Sequence, residues 1–460
     1  MRRQDGADRA KAPRRRVRPA LARLRGASVD AFALWRRRLL FLAGGVCVGL
    51  AAVLMAKLAD AAQDGFRRML GLSPLLVLVL APAGFALCAH LARTVFPNAQ
   101  GSGIPQVIAA RHTRDAGLRH ALVSLKVAGG KIAVMTLGLL CGGSIGREGP
   151  TVQVGAAIMA AVGRLTPERL PGLMLAGGAA GVAAAFNTPL AGIVFGIEEL
   201  GRAYESRSSG LVIAAIVAAG LTSLLLIGNY TYFGSTQAVL PPGRAWIAVP
   251  AIGLAGGLCG GLFSRIVILF ARGVPGRAGA LIARRPVAFA ALCGLGVALC
   301  GLASGGTVYG TGYEEARAIL HGDAPAALDF APLKFLATVL SSISGIPGGL
   351  FAPSLAVGAG LGAGLHGLFA DVPVGALVLI GMVSYLTGVL QAPITSFVIV
   401  TEMTQDHALV IPLMVAALAA DAASKLVCRG GLYHALAEII LARSDVAKSD
   451  PSAPDPARSA

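Results

Sequence analysis

Apolar residues in this chain gather into runs rather than alternating with polar ones. Between residues 39 and 425 the runs fall at 39–56, 73–95, 121–141, 150–163, 171–185, 189–200, 208–228, 248–271, 286–304, 329–343, 353–370, 374–389, 392–402 and 407–425. The stretches from Leu39 to Ala56, from Ser208 to Asn229 and from Pro286 to Gly305 carry no charge at all. A helix needs about 20 apolar residues to cross about 30 Å of hydrocarbon, and these stretches are close to that length. Other runs are too short to cross alone and are cut by Gly or Pro. Such segments mark helices that stop inside the membrane. The pattern predicts an all-α polytopic membrane protein with broken and re-entrant helices.

The runs also repeat. Gly146-Arg147-Glu148-Gly149-Pro150 reads against Gly349-Leu350-Phe351-Ala352-Pro353, and Gly155 then matches Gly358. Asn187-Thr188-Pro189-Leu190 reads against Gln391-Ala392-Pro393-Ile394, with Glu198 and Glu402 at the same distance beyond the two prolines. A looser pair is Gly101-Ser102-Gly103-Ile104-Pro105 against Gly310-Thr311-Gly312-Tyr313-Glu314. Three blocks in one order predict two related halves, at about 39–230 and 246–426. Repeated halves with broken helices are a common transporter plan, often with inverted topology. A C-terminal helix at 430–443 and a disordered polar tail at 444–460 are expected to follow.

Composition supports the class. The chain is 55% hydrophobic and 14% charged, too little charge to keep a soluble surface of this size dissolved. Its 61 glycines suit close helix approach. The net charge of +17 is concentrated at one end: residues 1–38 hold thirteen Lys/Arg against three acids, a net +10. Positive charge beside the first apolar run is the positive-inside signature and places the N-terminus in the cytoplasm. With no folded nucleic-acid reader behind it, this basic segment does not imply a nucleic-acid partner. Arg36-Arg37-Arg38-Leu39-Leu40 has a slight likeness to a twin-arginine export signal, but so long a basic region before many further spans reads as an anchor. The seven cysteines include no CxxC pair, and Cys47, Cys88, Cys293 and Cys300 sit in apolar segments as packing residues. No HExxH or P-loop lysine motif occurs, so neither a metal nor ATP is expected.

The candidate chemistry lies in the Gly/Pro-rich turns. Proline suits the first turn of a helix, where no amide hydrogen is needed. Pro150 and Pro353 therefore predict helix starts whose unpaired N–H groups and positive dipole ends point into the membrane interior. Such a start is an anion site where it lines a cavity. Gly101 to Pro105 is a third candidate. Three such starts could converge on one dehydrated anion.

The turns at 101–105, 146–150 and 349–353, together with Leu432-Tyr433, resemble the four signature elements of the CLC family of chloride channels and chloride/proton exchangers, in the family's order. The resemblance covers about residues 39–443. It implies that the Ser102 and Tyr433 hydroxyls and the Leu350 and Phe351 amides bind a central chloride. It implies an inner site at the Gly101 and Ser102 amides and an outer one at the 146–149 turn, which includes Arg147 and Gly149. Ser102 matches the residue associated with chloride preference, where proline is associated with nitrate. The alternative is that Ser102 caps a helix and Tyr433 anchors at an interface. The resemblance makes Glu148 the gate and proton carrier, a tethered anion that competes with chloride until protonation releases it. It makes Glu199 the internal proton-transfer residue. Homodimers with a pore in each subunit are implied as well.

Glu198 and Glu199 are adjacent and cannot share a helix face. Glu198 has the repeat partner Glu402, which suggests a structural or pore-mouth duty for both. Glu199 is matched by Met403, and its acid favours proton-coupled exchange over a passive channel. Arg147 and Lys131 either raise local anion concentration or serve as buried partners for carbonyls or a glutamate. Gly142-Gly143-Ser144-Ile145 has a faint likeness to an intramembrane serine-protease loop. The expected function is chloride/proton antiport across an inner membrane, with a passive chloride channel, a fluoride/proton antiporter and the protease as alternatives.

Overall fold

The computed structural model describes residues 18–163, 170–201, 209–228, 231–236, 238–323 and 328–449. Residues 1–40 and 41–460 form two compact units. The first is helical from Arg18 and stacks the Arg38 guanidinium over the Trp35 ring at 5.4 Å. Residues 1–17 of the basic segment lie outside the described residues. The second unit carries the candidate site.

The first half runs through α1 (Arg18–Leu72), α2 (Val77–Thr94), α3 (Ile104–His112), α4 (Ala116–Leu122), α5 (Leu125–Leu140), α6 (Glu148–Val162), α7 (Leu170–Phe186), α8 (Pro189–Phe195) and α9 (Ser209–Ile227). The second half runs through α10 (Ala248–Arg272), α11 (Gly276–Arg284), α12 (Pro286–Ala303), α13 (Tyr313–His321), α14 (Phe330–Ile343), α15 (Phe351–Gly364), α16 (Val374–Leu390), α17 (Pro393–Thr404) and α18 (Val410–Val427). The last helix, α19 (Leu432–Ser449), passes the expected boundary at 443. Residues 444–449, expected in a disordered tail, are therefore helical; residues 450–460 lie outside the described ones. Among the described residues eight helices are long and apolar enough to cross a membrane. Shorter pieces such as α3, α6, α8 and α13 lie between them.

Local rules set many of the helix ends. Pro105, Pro189 and Pro393 stand in the first turns of α3, α8 and α17, where a missing N–H costs nothing. Asp115 caps α4 by accepting the Gly117 N–H at 2.8 Å. Gly103 and Gly312 precede α3 and α13 with φ of 94° and 80°, a conformation that favours glycine.

The two halves interlock through equivalent residues. Gly146 and Gly349 exchange backbone hydrogen bonds in an antiparallel bridge, at 2.8 and 2.7 Å. Glu198 accepts the N–H groups of Ile394 and Thr395 at 3.1 and 2.6 Å, at the start of α17. Glu402 does the same for Leu190 and Ala191 at the start of α8, at 3.1 and 2.6 Å. Each half thus satisfies the orphan amides of the other. Reciprocity of this kind follows from an approximate twofold axis between inverted repeats.

Glycine sets the packing in both halves. A Cβ on Gly155 of α6 would strike the Gly177 carbonyl of α7, and a Cβ on Gly177 would strike the Gly155 carbonyl. Gly358 and Gly381 repeat the pair between α15 and α16. Backbones this close gain van der Waals contact without needing a hydrophobic drive, as membrane helices require. Five of the seven cysteines are buried and none is in a disulfide, in keeping with packing roles.

Candidate functional site

Three helix starts meet near the middle of the sequence repeat. The strand-like segment before α15 pairs with both of the other turns: Gly348 donates to Gly101 O at 3.1 Å, and Gly349 to Gly146 O at 2.7 Å. A Cβ on Gly149 would lie about as close to the Ser102 side chain (3.1 Å) as to the Gly349 Cα (3.2 Å). The starts of α3, α6 and α15 therefore share one small volume. Their leading N–H groups cannot be met within their own helices. Dipole and donors together favour an anion there.

The side chains at this junction have unmet polar atoms. Ser102 Oγ, Tyr433 OH and Glu148 Oε2 are buried without a hydrogen-bond partner. The Tyr433 ring lies tilted against the Phe351 ring with centroids 6.4 Å apart. A buried orphan hydroxyl calls for an explanation, and a bound ion is one. The Leu350 and Phe351 N–H groups at the start of α15 donate to no backbone carbonyl among the described residues. Phe351 is wedged edge-on between Phe186 and Phe195, with centroids 5.5 and 5.9 Å away. Those rings fix the α15 turn.

Glu148 begins α6 and is fully buried. Its Oε1 accepts a hydrogen bond from the Tyr313 hydroxyl at 2.8 Å. Its carboxyl folds back over Gly146, where a Cβ would collide with Oε2. The buried carboxylate thus sits among the same N–H groups that would draw an anion.

One expected ligand is engaged elsewhere. The Gly101 amide donates to Ile346 O at 3.3 Å, because the 101 turn pairs with the segment ahead of α15. Of the two amides expected at an inner site, only that of Ser102 stays available. The Arg147 guanidinium turns away from the junction to Ala56 O and Asp60 Oδ1, both at 3.0 Å, and to the Tyr232 hydroxyl. Lys131 is buried and donates to Gln100 O and Gly101 O at 3.2 and 2.8 Å. It is a partner for backbone carbonyls, one of the two alternatives its sequence context leaves open. Lys334, its repeat counterpart, holds Val308 O and Gly310 O at 2.9 Å. Each lysine ties down the turn ahead of a short helix, α3 or α13.

Glu199 lies in a π-helical turn, Gly196–Leu200, that continues α8. Single π turns inside helices recur at functional sites. Its Oε1 is 3.3 Å from His434 Nδ1 on α19. Glu199 is almost fully buried, whereas His434 keeps 19% of its side chain exposed. The Ser144 hydroxyl pairs with Thr338 at 3.0 Å and its amide with Ser341, so the neighbours these bonds give it are hydroxyls. Neither is a base that could activate a nucleophilic serine.

A model of the family described as voltage gated chloride channel matches residues 83–425. The chain belongs to that family. The H(+)/Cl(-) exchange transporter ClcA of Yersinia pestis bv. Antiqua (strain Angola) is 30% identical to it over 449 residues, covering 90% of this chain and 89% of that one. The protein of the same description from Yersinia pseudotuberculosis serotype O:3 (strain YPIII) is also 30% identical. Among solved structures, a slow cyanobacterial Cl-/H+ antiporter superposes with a TM-score of 0.75 at 24% identity, covering 88% of this chain and 99% of that one. A CLC-type fluoride/proton antiporter superposes at 0.72 with 23% identity, covering 86% of this chain and 97% of that one. These two likenesses establish the fold.

Within this voltage gated chloride channel fold, Tyr313, Tyr232 and His434 touch the candidate site residues without a sequence motif of their own. Tyr313 stands in the loosest repeat block, where only the glycines of its counterpart match. Tyr232 lies between helices with no motif around it. His434 follows the motif residue Tyr433 directly, and that adjacency was the one available signal.

Proposed function

We propose that this protein exchanges chloride for protons across a bilayer, through a path in each subunit of a homodimer. The observation that carries the reading is the junction itself: three helix starts drawn from both halves, two buried hydroxyls without partners and one buried carboxylate in a single buried volume. Ser102, Tyr433 and the Leu350 and Phe351 amides form the central anion seat. Ser102 at this seat suits chloride, and the pair Ser102 and Tyr433 favours chloride over fluoride. The Gly149 amide and the rest of the α6 start form the outer seat, which the Glu148 carboxylate occupies when no chloride does. Protonation removes the charge that holds Glu148 among the donors, so the side chain leaves as neutral acid and chloride enters. Glu199 passes protons between the inner solution and the interior, with water bridging to Glu148. The protein is a transporter driven by existing gradients, not an enzyme, and needs no cofactor.

The family relatives described as H(+)/Cl(-) exchange transporters support the coupled reading. The basic segment at 1–38 supports a cytoplasmic N-terminus in an inner membrane. Large apolar side chains at Leu190, Leu221, Ile394, Ile411 and Leu418 are exposed and give α8, α9, α17 and α18 a surface for a second copy or for lipid. The test is purified protein in sealed vesicles under a chloride gradient, with chloride and protons followed together. Chloride efflux is expected to drive protons inward against no pre-set pH difference. Chloride movement without protons would sink the exchange reading and leave a passive channel.

A further inference from the structure

A cavity of about 650 Å³ opens beside the junction. Arg147, Tyr232 and Tyr313 line it, with Asp60 and Glu314 at its sides. Glu148 does not reach it. The carboxylate is fully buried, and Tyr313, whose hydroxyl donates to it, is among the residues that line the open space. Tyr313 opens α13, the repeat counterpart of the helix that begins beside Ser102. One side of the path is thus faced by a serine turn and the other by a tyrosine turn.

Tyr313 is itself held. Its ring stacks on Tyr232 with centroids 4.7 Å apart and planes at 25°, and packs against Phe233 at 5.5 Å. Tyr232 is anchored in turn, donating to Ala185 O at 2.7 Å and accepting from Arg147. A ring fixed this way cannot follow Glu148 when the carboxyl moves. Any swing of Glu148 toward the cavity therefore breaks the Tyr313 hydrogen bond.

We propose that Tyr313 is a positioning residue of the gate, whose hydroxyl latches the Glu148 carboxylate in the outer seat on the cavity side. The inference rests on reading Glu148 as a tethered anion that competes with chloride. A hydrogen bond to a charged group is among the stronger kind, so the latch biases the competition toward Glu148. Removing it weakens the tethered competitor and leaves the chloride ligands in place.

The experiment is chloride binding to purified protein by calorimetry in detergent, which needs no proton transport. Tyr313→Phe removes one hydroxyl and keeps the ring. It is expected to tighten apparent chloride binding by roughly tenfold. In a Glu148→Ala background the same change is expected to do nothing, because the competitor is gone. Tyr313→Leu removes the hydroxyl by another route and shifts binding the same way, so either variant completes the cycle. Unchanged binding in the otherwise native protein overturns the latch. So does an equal shift with and without Glu148, which would make Tyr313 a packing residue of the path. Vesicles of the unaltered protein that move chloride without protons would overturn exchange alone and leave the latch standing.

Discussion

The two halves carry one backbone device with two different side chains. The α6 turn and the α15 turn share their leading glycine and their proline, pair through Gly146 and Gly349, and present orphan N–H groups to the same volume. At the equivalent position one half has Glu148 and the other Phe351. In the proposed exchange the carboxylate takes the anion's place and leaves when protonated. The phenyl ring is held edge-on by Phe186 and Phe195. On that proposal a symmetric scaffold becomes a directional path through one asymmetric residue. The glutamates beyond Pro189 and Pro393 show the converse. Glu198 and Glu402 remain equivalent and do equivalent work as caps across the halves, while Glu199 faces Met403 in the repeat and departs from it.

Breaking the asymmetric positions should remove function, and breaking the symmetric ones should remove stability. The largest effect is expected from Glu148→Ala, which leaves chloride flux but cuts proton flux in vesicles by about a hundredfold or more, the scale of a lost proton-transfer group. A variant dead for both ions would show that Glu148 holds the path together instead of gating it. Glu199→Gln is expected to follow in the same assay with a loss of about tenfold, since solvent reaches the His434 side of the pair. Unchanged coupling there would mean that protons enter by another route. The smallest effect belongs to the caps. Glu198→Ala and Glu402→Ala each strand two amides, and Glu198→Ala also releases the Thr395 hydroxyl. Each should cost about 1–3 kcal/mol, read as a drop in melting temperature that is larger for Glu198→Ala, with the proton-to-chloride ratio intact. A change in that ratio would show that the caps take part in transport.

Much of this was legible because the relevant physics is local. Glycine, proline and the apolar run behind them specify a helix start within a few residues, so the α3, α6 and α15 turns could be read directly. Repeat spacing also isolated Glu198 and Glu402 as a pair, and the structure gives both a capping duty. Arg147 was less readable. Its sequence context leaves open whether it raises local anion concentration or pairs with buried acceptors, and the structure commits the guanidinium to Asp60, a residue on α1 far away in sequence. The Gly101 amide illustrates the same gap, since Ile346 lies in the other half. Tyr313 was on view in a repeat block, yet nothing nearby in sequence tells that its hydroxyl meets Glu148.

The sequence alone determined a membrane protein of two related halves, the turns able to hold an anion, and the carboxylates at stake. These follow from hydropathy, backbone sterics and spacing, which act over a handful of residues. The tertiary structure decided which donors stay open. An N–H is available to an ion only if no carbonyl from a distant segment has claimed it, and a carboxylate is latched only if a hydroxyl from the other half stands within reach.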